Sequence, residues 1–67
     1  MPFVQVTMVS GRTAEQKRDL IAKVSAAVSD ALDTPVESVR VAIYVVDKDE
    51  WGIGGVPYAE ARPNSER

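Results

Sequence analysis

Apolar side chains recur with a period of two at the start of the chain and then with the period of a helix. Phe3 to Val9 alternates well enough to predict a strand, and both of its faces carry apolar residues. Ser10-Gly11 is a turn signal, and Thr13 with Gln16 has the spacing of a capping box, which satisfies free backbone N–H groups at a helix start. The pattern therefore predicts a helix that begins at about Ala14.

A single apolar stripe at the 3.6-residue period continues this helix. Its members are Leu20, Ile21, Val24, Ala27, Val28, Ala31 and Leu32. Asp33-Thr34-Pro35 ends the helix, because the residue before a proline is pushed out of the helical region. Glu37 and Ser38 then belong to a short connection.

A second strand is predicted from Val39 to Val46, a segment dense in β-branched residues that is again largely apolar on both faces. A strand, a helix of about 19 residues and a strand form a β-α-β unit, whose crossover makes the strands parallel and is nearly always right-handed. The expected fold class is α+β (α/β), with the whole chain, 1–67, as a single domain. One helix covers one face of the two-stranded sheet.

The remainder of the chain is polar or rich in glycine. Asp47 to Glu50 is a polar loop, and Trp51 to Tyr58 is predicted to form a short glycine-bent C-terminal hairpin or arm. The Gly52-Ile53-Gly54-Gly55 run lacks the strand-before and helix-after context of a nucleotide-binding loop, so we assign it to backbone bending. Residues 62–67 are expected to be a flexible polar tail.

The second face of the predicted sheet has no cover within the chain, and strands that are apolar on both sides belong in sheets buried on both sides. A domain of 67 residues is marginal alone and leans on disulfides, metals or oligomerisation. The chain has no cysteine and no histidine. We therefore expect other copies of the chain, in a homo-oligomer, to supply the cover.

Composition excludes several classes of function. The absence of cysteine and histidine rules out a thiolate nucleophile, a Cys/His zinc site and a Ser-His-Asp triad, so no metal is expected. Eight basic and ten acidic residues are scattered along the chain, which does not fit a nucleic-acid partner. No apolar run is long enough for a membrane span and no signal peptide is visible. These features predict a cytoplasmic protein.

The amino terminus is the first candidate for chemistry, because the α-amino group titrates near neutrality when no histidine is present. Cytosolic processing generally removes an initiator Met before a small residue, and Pro2 would then carry a secondary amine. Desolvation or nearby arginines would lower its affinity for protons enough for it to act as a base. The alternative interpretation is that Pro2 merely starts an edge strand.

Arg12 and Arg40 are the candidate anion-binding groups. Together they fit a small-molecule carboxylate, which guanidinium binds in a two-pronged way, although each alone is more typical of a solvated charge. Pro2 and Val9 are separated by roughly 23 Å of extended strand, so Arg12 cannot readily serve the Pro2 of its own chain. If both act at one site, that site lies between subunits. Parallel strands put the Arg40 end of the sheet near Pro2, and the sequence leaves open which chain provides Arg40.

Trp51 is the only tryptophan and is either a pocket wall or an interface anchor. Three further groups are candidates for secondary proton or hydrogen-bonding roles, with core packing or solvation as the simpler interpretation: Tyr44, Tyr58 and Glu60.

The sequence resembles the 4-oxalocrotonate tautomerase family of small β-α-β enzymes over nearly its whole length, more weakly after Val56. The resemblance is carried by Met1-Pro2, by the Gly11-Arg12 turn before Glu15-Gln16-Lys17, by Ser38-Val39-Arg40-Val41 and by the Gly52-Ile53-Gly54-Gly55 run. Each motif is weak alone, and their joint spacing is specific.

The resemblance implies protomers that join their sheets and assemble, commonly as a hexamer, and an isomerase without cofactor. It implies that processed Pro2 is a general base for enol-keto tautomerisation of a 2-hydroxy-dienoate such as 2-hydroxymuconate, as in aromatic degradation. Arg12 would hold the distal carboxylate, and Arg40 the carboxylate and 2-oxygen at the reacting end. Trp51 stands where relatives acting on 2-hydroxymuconate typically have Phe.

Two alternatives remain open at this point. Relatives in the wider superfamily hydrate or dehalogenate short unsaturated acids, usually with an added carboxylate that positions water, and Asp49 and Glu50 lie near Trp51. The second alternative is a non-catalytic oligomer that binds small acids, since a fold does not fix a function.

Overall fold

The computed structural model describes residues 1–61, and the predicted flexible tail at 62–67 lies outside this range. In chain order the elements are β1 (Phe3–Val9), α1 (Ala14–Leu32), a first 3₁₀ turn (Val36–Ser38), β2 (Arg40–Val46), a second 3₁₀ turn (Lys48–Glu50), β3 (Gly52–Ile53), β4 (Val56–Pro57) and α2 (Tyr58–Ala61).

β1 and β2 form a parallel pair, as the β-α-β pattern predicts. The register runs from Phe3 opposite Arg40 to Val9 opposite Val46. The ladder continues one residue further, where the Ser10 N–H donates to the Val46 carbonyl at 2.8 Å. Both strands therefore begin at one end of the sheet and finish at the other.

α1 begins at the predicted capping box. The Thr13 side chain accepts from the Gln16 N–H at 3.0 Å, and the Gln16 side chain accepts from the Thr13 N–H at 2.9 Å. The helix ends at Asp33, which adopts the left-handed conformation with φ 53° and donates its N–H to the Ser29 carbonyl. The predicted start, end and 19-residue length are confirmed.

The segments expected as plain connections contain short helical turns. Val36–Ser38 and Lys48–Glu50 are single 3₁₀ turns, and α2 adds a helical turn after the hairpin. Such turns need only one or two local hydrogen bonds and leave no hydrophobic period in the sequence. The hairpin itself is confirmed, with Gly54 and Gly55 at φ 61° and 88° in its tight turn.

Burial within one chain is shallow. Val39, at 8% exposure, is the only buried apolar residue among residues 1–60. Alternate β1 side chains facing α1 are half-buried, whereas the opposite face of the sheet, which we call the open face, leaves Phe3 62% and Tyr44 54% exposed. One helix covers one face, as expected.

The helix stripe is wider than the two strands can cover. Leu20, Val24 and Val28 are half-buried, while Ile21 and Leu32 remain 40% and 61% exposed. Beyond β2, residues 48–61 form an arm whose elements pack chiefly on one another. In the described part of the chain no helix has the length and apolar character required to cross a membrane.

Candidate active site

Pro2 and Arg40 are joined at the end of the sheet where both strands begin. The Arg40 backbone N–H donates to the Pro2 carbonyl oxygen at 3.0 Å. Pro2 is half-buried, while Met1 before it is 84% exposed, so removal of Met1 takes away no packed side chain. With Met1 attached, the Pro2 nitrogen is an amide. With Met1 removed, it is an amine held beside Arg40.

The Arg40 guanidinium folds back over the first 3₁₀ turn. Its Nη1 donates to the Glu37 carbonyl at 2.8 Å and lies 3.4 Å from the Val39 carbonyl. Among residues 1–61, Nε and Nη2 have no hydrogen-bond partner. Nε–H and Nη2–H form one edge of the planar guanidinium, and this edge suits a two-pronged contact with a carboxylate.

Arg12 lies at the opposite end of β1. It follows the Ser10-Gly11 turn, where Gly11 has φ 132°, a backbone conformation that favours glycine. Arg12 lines an open cavity of about 280 Å³ together with Met8, Gln16, Lys17 and other residues of α1. About 23 Å of extended strand separates it from the Pro2 end of the same chain.

Trp51 comes after the end of β2, and so lies beyond the same end of the sheet as Arg12. It is half-buried in the arm, and its carbonyl accepts a hydrogen bond from the Tyr58 N–H at 2.7 Å. The four sequence-derived candidates therefore divide into two pairs. One chain brings Pro2 and Arg40 together at the starting end, and carries Arg12 and Trp51 beyond the finishing end.

The other candidates are dispersed. Tyr44 lies on the open face at the position opposite Thr7, four residues along β2 from Arg40 and thus about 13 Å away. Tyr58 and Glu60 lie in α2, and the exposed carboxylates Asp49 and Glu50 occupy the turn before Trp51. Within residues 1–61 no group of three His, Cys, Asp or Glu side chains could hold a metal ion.

One set of residues near Arg40 was not found from the sequence. The hydroxyl groups of Ser29, Thr34 and Ser38 form hydrogen bonds between the end of α1 and the first 3₁₀ turn. Ser29 Oγ donates to the Thr34 backbone carbonyl, and the Thr34 and Ser38 hydroxyl groups bond to each other. The sequence does show Ser and Thr clustered around a helix end and a proline. At such places these side chains form hydrogen bonds with nearby backbone groups, so the cluster was the signal that could have indicated this set.

Comparison with known proteins gives concordant matches. The family model described as "Tautomerase enzyme" matches residues 2–61. The 2-hydroxymuconate tautomerase of Pseudomonas sp. (strain CF600) is 47% identical over 62 residues, covering 92% of this chain and 98% of that protein. The 2-hydroxymuconate tautomerase of Comamonas testosteroni is 47% identical over 60 residues, covering 90% of this chain and 95% of the relative.

Comparison with solved structures points to the same family as comparison of the sequences. A heterohexamer 4-oxalocrotonate tautomerase from Chloroflexus aurantiacus J-10-fl superposes with a TM-score of 0.87 at 40% identity, covering 92% of this chain and 100% of that one. A 4-oxalocrotonate tautomerase homologue of the tomaymycin biosynthetic pathway has a TM-score of 0.88 at 35% identity, with coverage of 98% and 100%.

Proposed function

The chain belongs to the tautomerase family and is an isomerase of that family, and from this premise we propose that it interconverts the enol and keto forms of a 2-hydroxy-dienoate resembling 2-hydroxymuconate, with processed Pro2 as general base. The observation that carries the proposal is the 3.0 Å hydrogen bond from the Arg40 N–H to the Pro2 carbonyl. It joins the backbones of the proposed base and the proposed anion-binding residue at the same sheet end.

Pro2 is proposed to move one proton. The amine takes the proton of the 2-hydroxyl group, the oxygen lone pair forms the C=O bond, and the conjugated double bonds shift by one position. The prolyl ammonium then returns the proton to the distal carbon of the diene. Atoms and charge balance without oxidant, reductant or cofactor, and a positioned proton-transfer group typically contributes about 10²- to 10⁴-fold to rate.

Arg40 is proposed to hold the C1 carboxylate and the 2-oxygen through its Nε and Nη2 edge. Because Nη1 is already bonded to the Glu37 carbonyl, the guanidinium is oriented before the substrate arrives. Its positive charge, at the same sheet end as Pro2, would also disfavour protonation of the amine and stabilise the negative charge that develops on the 2-oxygen.

Arg12 and Trp51 are proposed to reach this site from other copies of the chain. Arg12 would bind the distal carboxylate and Trp51 would form an apolar wall beside the diene. Support comes from the separation of the two sheet ends, from the exposed Phe3 and Tyr44 on the open face, and from the heterohexamer in the Chloroflexus relative. We infer a homo-oligomer, with a hexamer as the simplest assembly.

The first experiment is an ultraviolet assay with 2-hydroxymuconate. We expect losses of at least about 10²-fold in kcat/KM for Pro2→Ala, Arg12→Ala and Arg40→Ala. Arg18→Ala removes an exposed cation of α1 and serves as the matched control. Measurement of the intact mass should show that Met1 is absent from the active protein. Full turnover by protein that retains Met1 would rule out the amine mechanism.

A second experiment tests whether the site is shared. The Pro2→Ala and Arg12→Ala chains are each expected to lose activity, and their substitutions lie at opposite ends of the sheet. Unfolded together and reassembled, the mixture contains sites that combine an intact Pro2 with an intact Arg12, so activity returns. Recovery no greater than the sum of the separate variants means that each site is built from one chain.

A further inference from the structure

Hydrogen bonds from three hydroxyl groups connect the end of α1 to the turn on which the Arg40 side chain is hydrogen-bonded. Ser29 Oγ lies 2.5 Å from the Thr34 carbonyl, Thr34 Oγ1 lies 3.1 Å from Ser38 Oγ, and Ser38 Oγ lies 2.8 Å from the Pro35 carbonyl. All three side chains are half-buried. The carbonyl groups cannot donate, so Ser29 and Ser38 must be the donors to them.

The direction of the central hydrogen bond follows from a count of protons. Each hydroxyl has one proton, and Ser38 uses its proton on the Pro35 carbonyl. Thr34 must therefore donate to Ser38 Oγ, which accepts. The Thr34 N–H also donates to the Ser29 carbonyl at 3.1 Å. Thr34 is thus bonded to the helix on one side and to the 3₁₀ turn on the other.

This turn is the one to which Arg40 is bonded. Arg40 Nη1 donates to the Glu37 carbonyl, and Glu37 lies inside the Val36–Ser38 turn. The Ser38 and Val39 N–H groups close the turn on the Pro35 and Val36 carbonyls at 3.0 and 3.1 Å. A shift of the turn relative to α1 therefore moves the carbonyl groups that orient the guanidinium.

We propose that Thr34, acting through Ser38, is a positioning residue that fixes the first 3₁₀ turn on the end of α1 and thereby fixes the orientation of the Arg40 guanidinium. This proposal rests on the role of Arg40 proposed above. Thr34 itself does not touch the substrate. Its hydroxyl keeps Nη1 on the Glu37 carbonyl, so that the Nε and Nη2 edge is presented to the substrate carboxylate in one orientation.

Thr34→Val is the test variant, because it keeps the shape of the side chain and removes the hydroxyl. It leaves Ser38 Oγ without its donor and allows the turn to shift, and we expect kcat/KM for 2-hydroxymuconate to fall about 5- to 20-fold. Thr34→Ser restores the hydroxyl and should recover most of the loss. Ser25→Ala, which removes another half-buried hydroxyl of α1, is the matched control and should retain full activity.

A double-mutant cycle separates positioning from a general structural effect. If Thr34 acts through Arg40, adding Thr34→Val to Arg40→Ala lowers kcat/KM by less than about twofold, because no guanidinium remains to be oriented. The same fold-loss in both backgrounds overturns the proposal, as does full activity of Thr34→Val alone. If Arg40→Ala is itself fully active, the proposed role of Arg40 fails. That result is distinct from equal fold-losses in the two backgrounds and from full activity of Thr34→Val.

Discussion

Replacement of Arg40 by lysine tests the geometry of the guanidinium rather than its charge. Arg40 Nη1 is 2.8 Å from the Glu37 carbonyl, which leaves the Nε and Nη2 edge available for the proposed contact with the substrate. A lysine ammonium keeps the positive charge but is a single point with three rotatable donors. It can therefore bond to the Glu37 carbonyl or to the substrate carboxylate, but it cannot present a fixed two-pronged edge to the latter.

The expected loss follows from the number of hydrogen bonds. A carboxylate on the Nε and Nη2 edge receives two charge-assisted bonds, and lysine replaces them with one at best. One hydrogen bond to a charged group contributes about 1.5–3 kcal/mol. At about 1.4 kcal/mol for each factor of ten, Arg40→Lys should lower kcat/KM about 10- to 150-fold. Arg40→Ala, which also removes the charge, should lose more.

The assay follows the absorbance of 2-hydroxymuconate under steady-state conditions, with kcat and KM determined separately. Arg18→Lys is the matched control, since Arg18 is an exposed arginine of α1. Circular dichroism and sizing establish that the variant keeps its fold and assembly. If Arg40→Lys retains kcat/KM within about threefold of the parent, the two-pronged contact is absent and the reasoning from the Nη1 bond is refuted.

Three further perturbations address assembly and local structure. Tyr44→Asp places a carboxylate on the open face, where Tyr44 is 54% exposed, and sizing should detect smaller species that are also inactive; an intact assembly would contradict the predicted interface. Thr13→Ala removes the α1 cap and should cost about 0.5–2 kcal/mol in urea unfolding, recovered by Thr13→Ser. Gly55→Ala, at φ 88°, should cost about 1–2 kcal/mol in the same experiment, and no cost would show that the hairpin turn does not limit stability.

The elements that the sequence predicted correctly are those encoded locally. The start of α1 follows from Thr13 and Gln16, whose side chains meet their backbone partners within four residues. Its end follows from the steric restriction before Pro35. The parallel direction of the two strands needed no more than the strand, helix, strand order, because a crossover helix permits little else.

The site was only partly predictable from the sequence. The proximity of Pro2 and Arg40 followed from strand direction, but the Nη1 contact with Glu37 did not. That contact depends on a 3₁₀ turn of three residues, which has no periodic pattern to detect. The hydrogen bonds of Thr34 with Ser29 and Ser38 were missed for a related reason. Ser and Thr side chains form local hydrogen bonds at many helix ends, and composition does not say which of these side chains bond to each other.

The division of the site follows from chain topology. In a parallel pair both strands begin at one end, so the residue that precedes β1, the proposed base Pro2, must lie near the first residue of β2, here Arg40. Residues that follow β1 or β2, including Arg12 and Trp51, must lie at the other end of the sheet. An antiparallel β2 would instead have placed Arg40 near Arg12 and left Pro2 isolated. This topology leaves the candidate site residues divided between the two ends of the sheet, and the chain has one buried apolar residue among residues 1–60. We propose that association brings the finishing end of one copy against the starting end of another, which completes the site and covers exposed apolar surface, so loss of assembly on dilution should abolish activity and weaken the fold together.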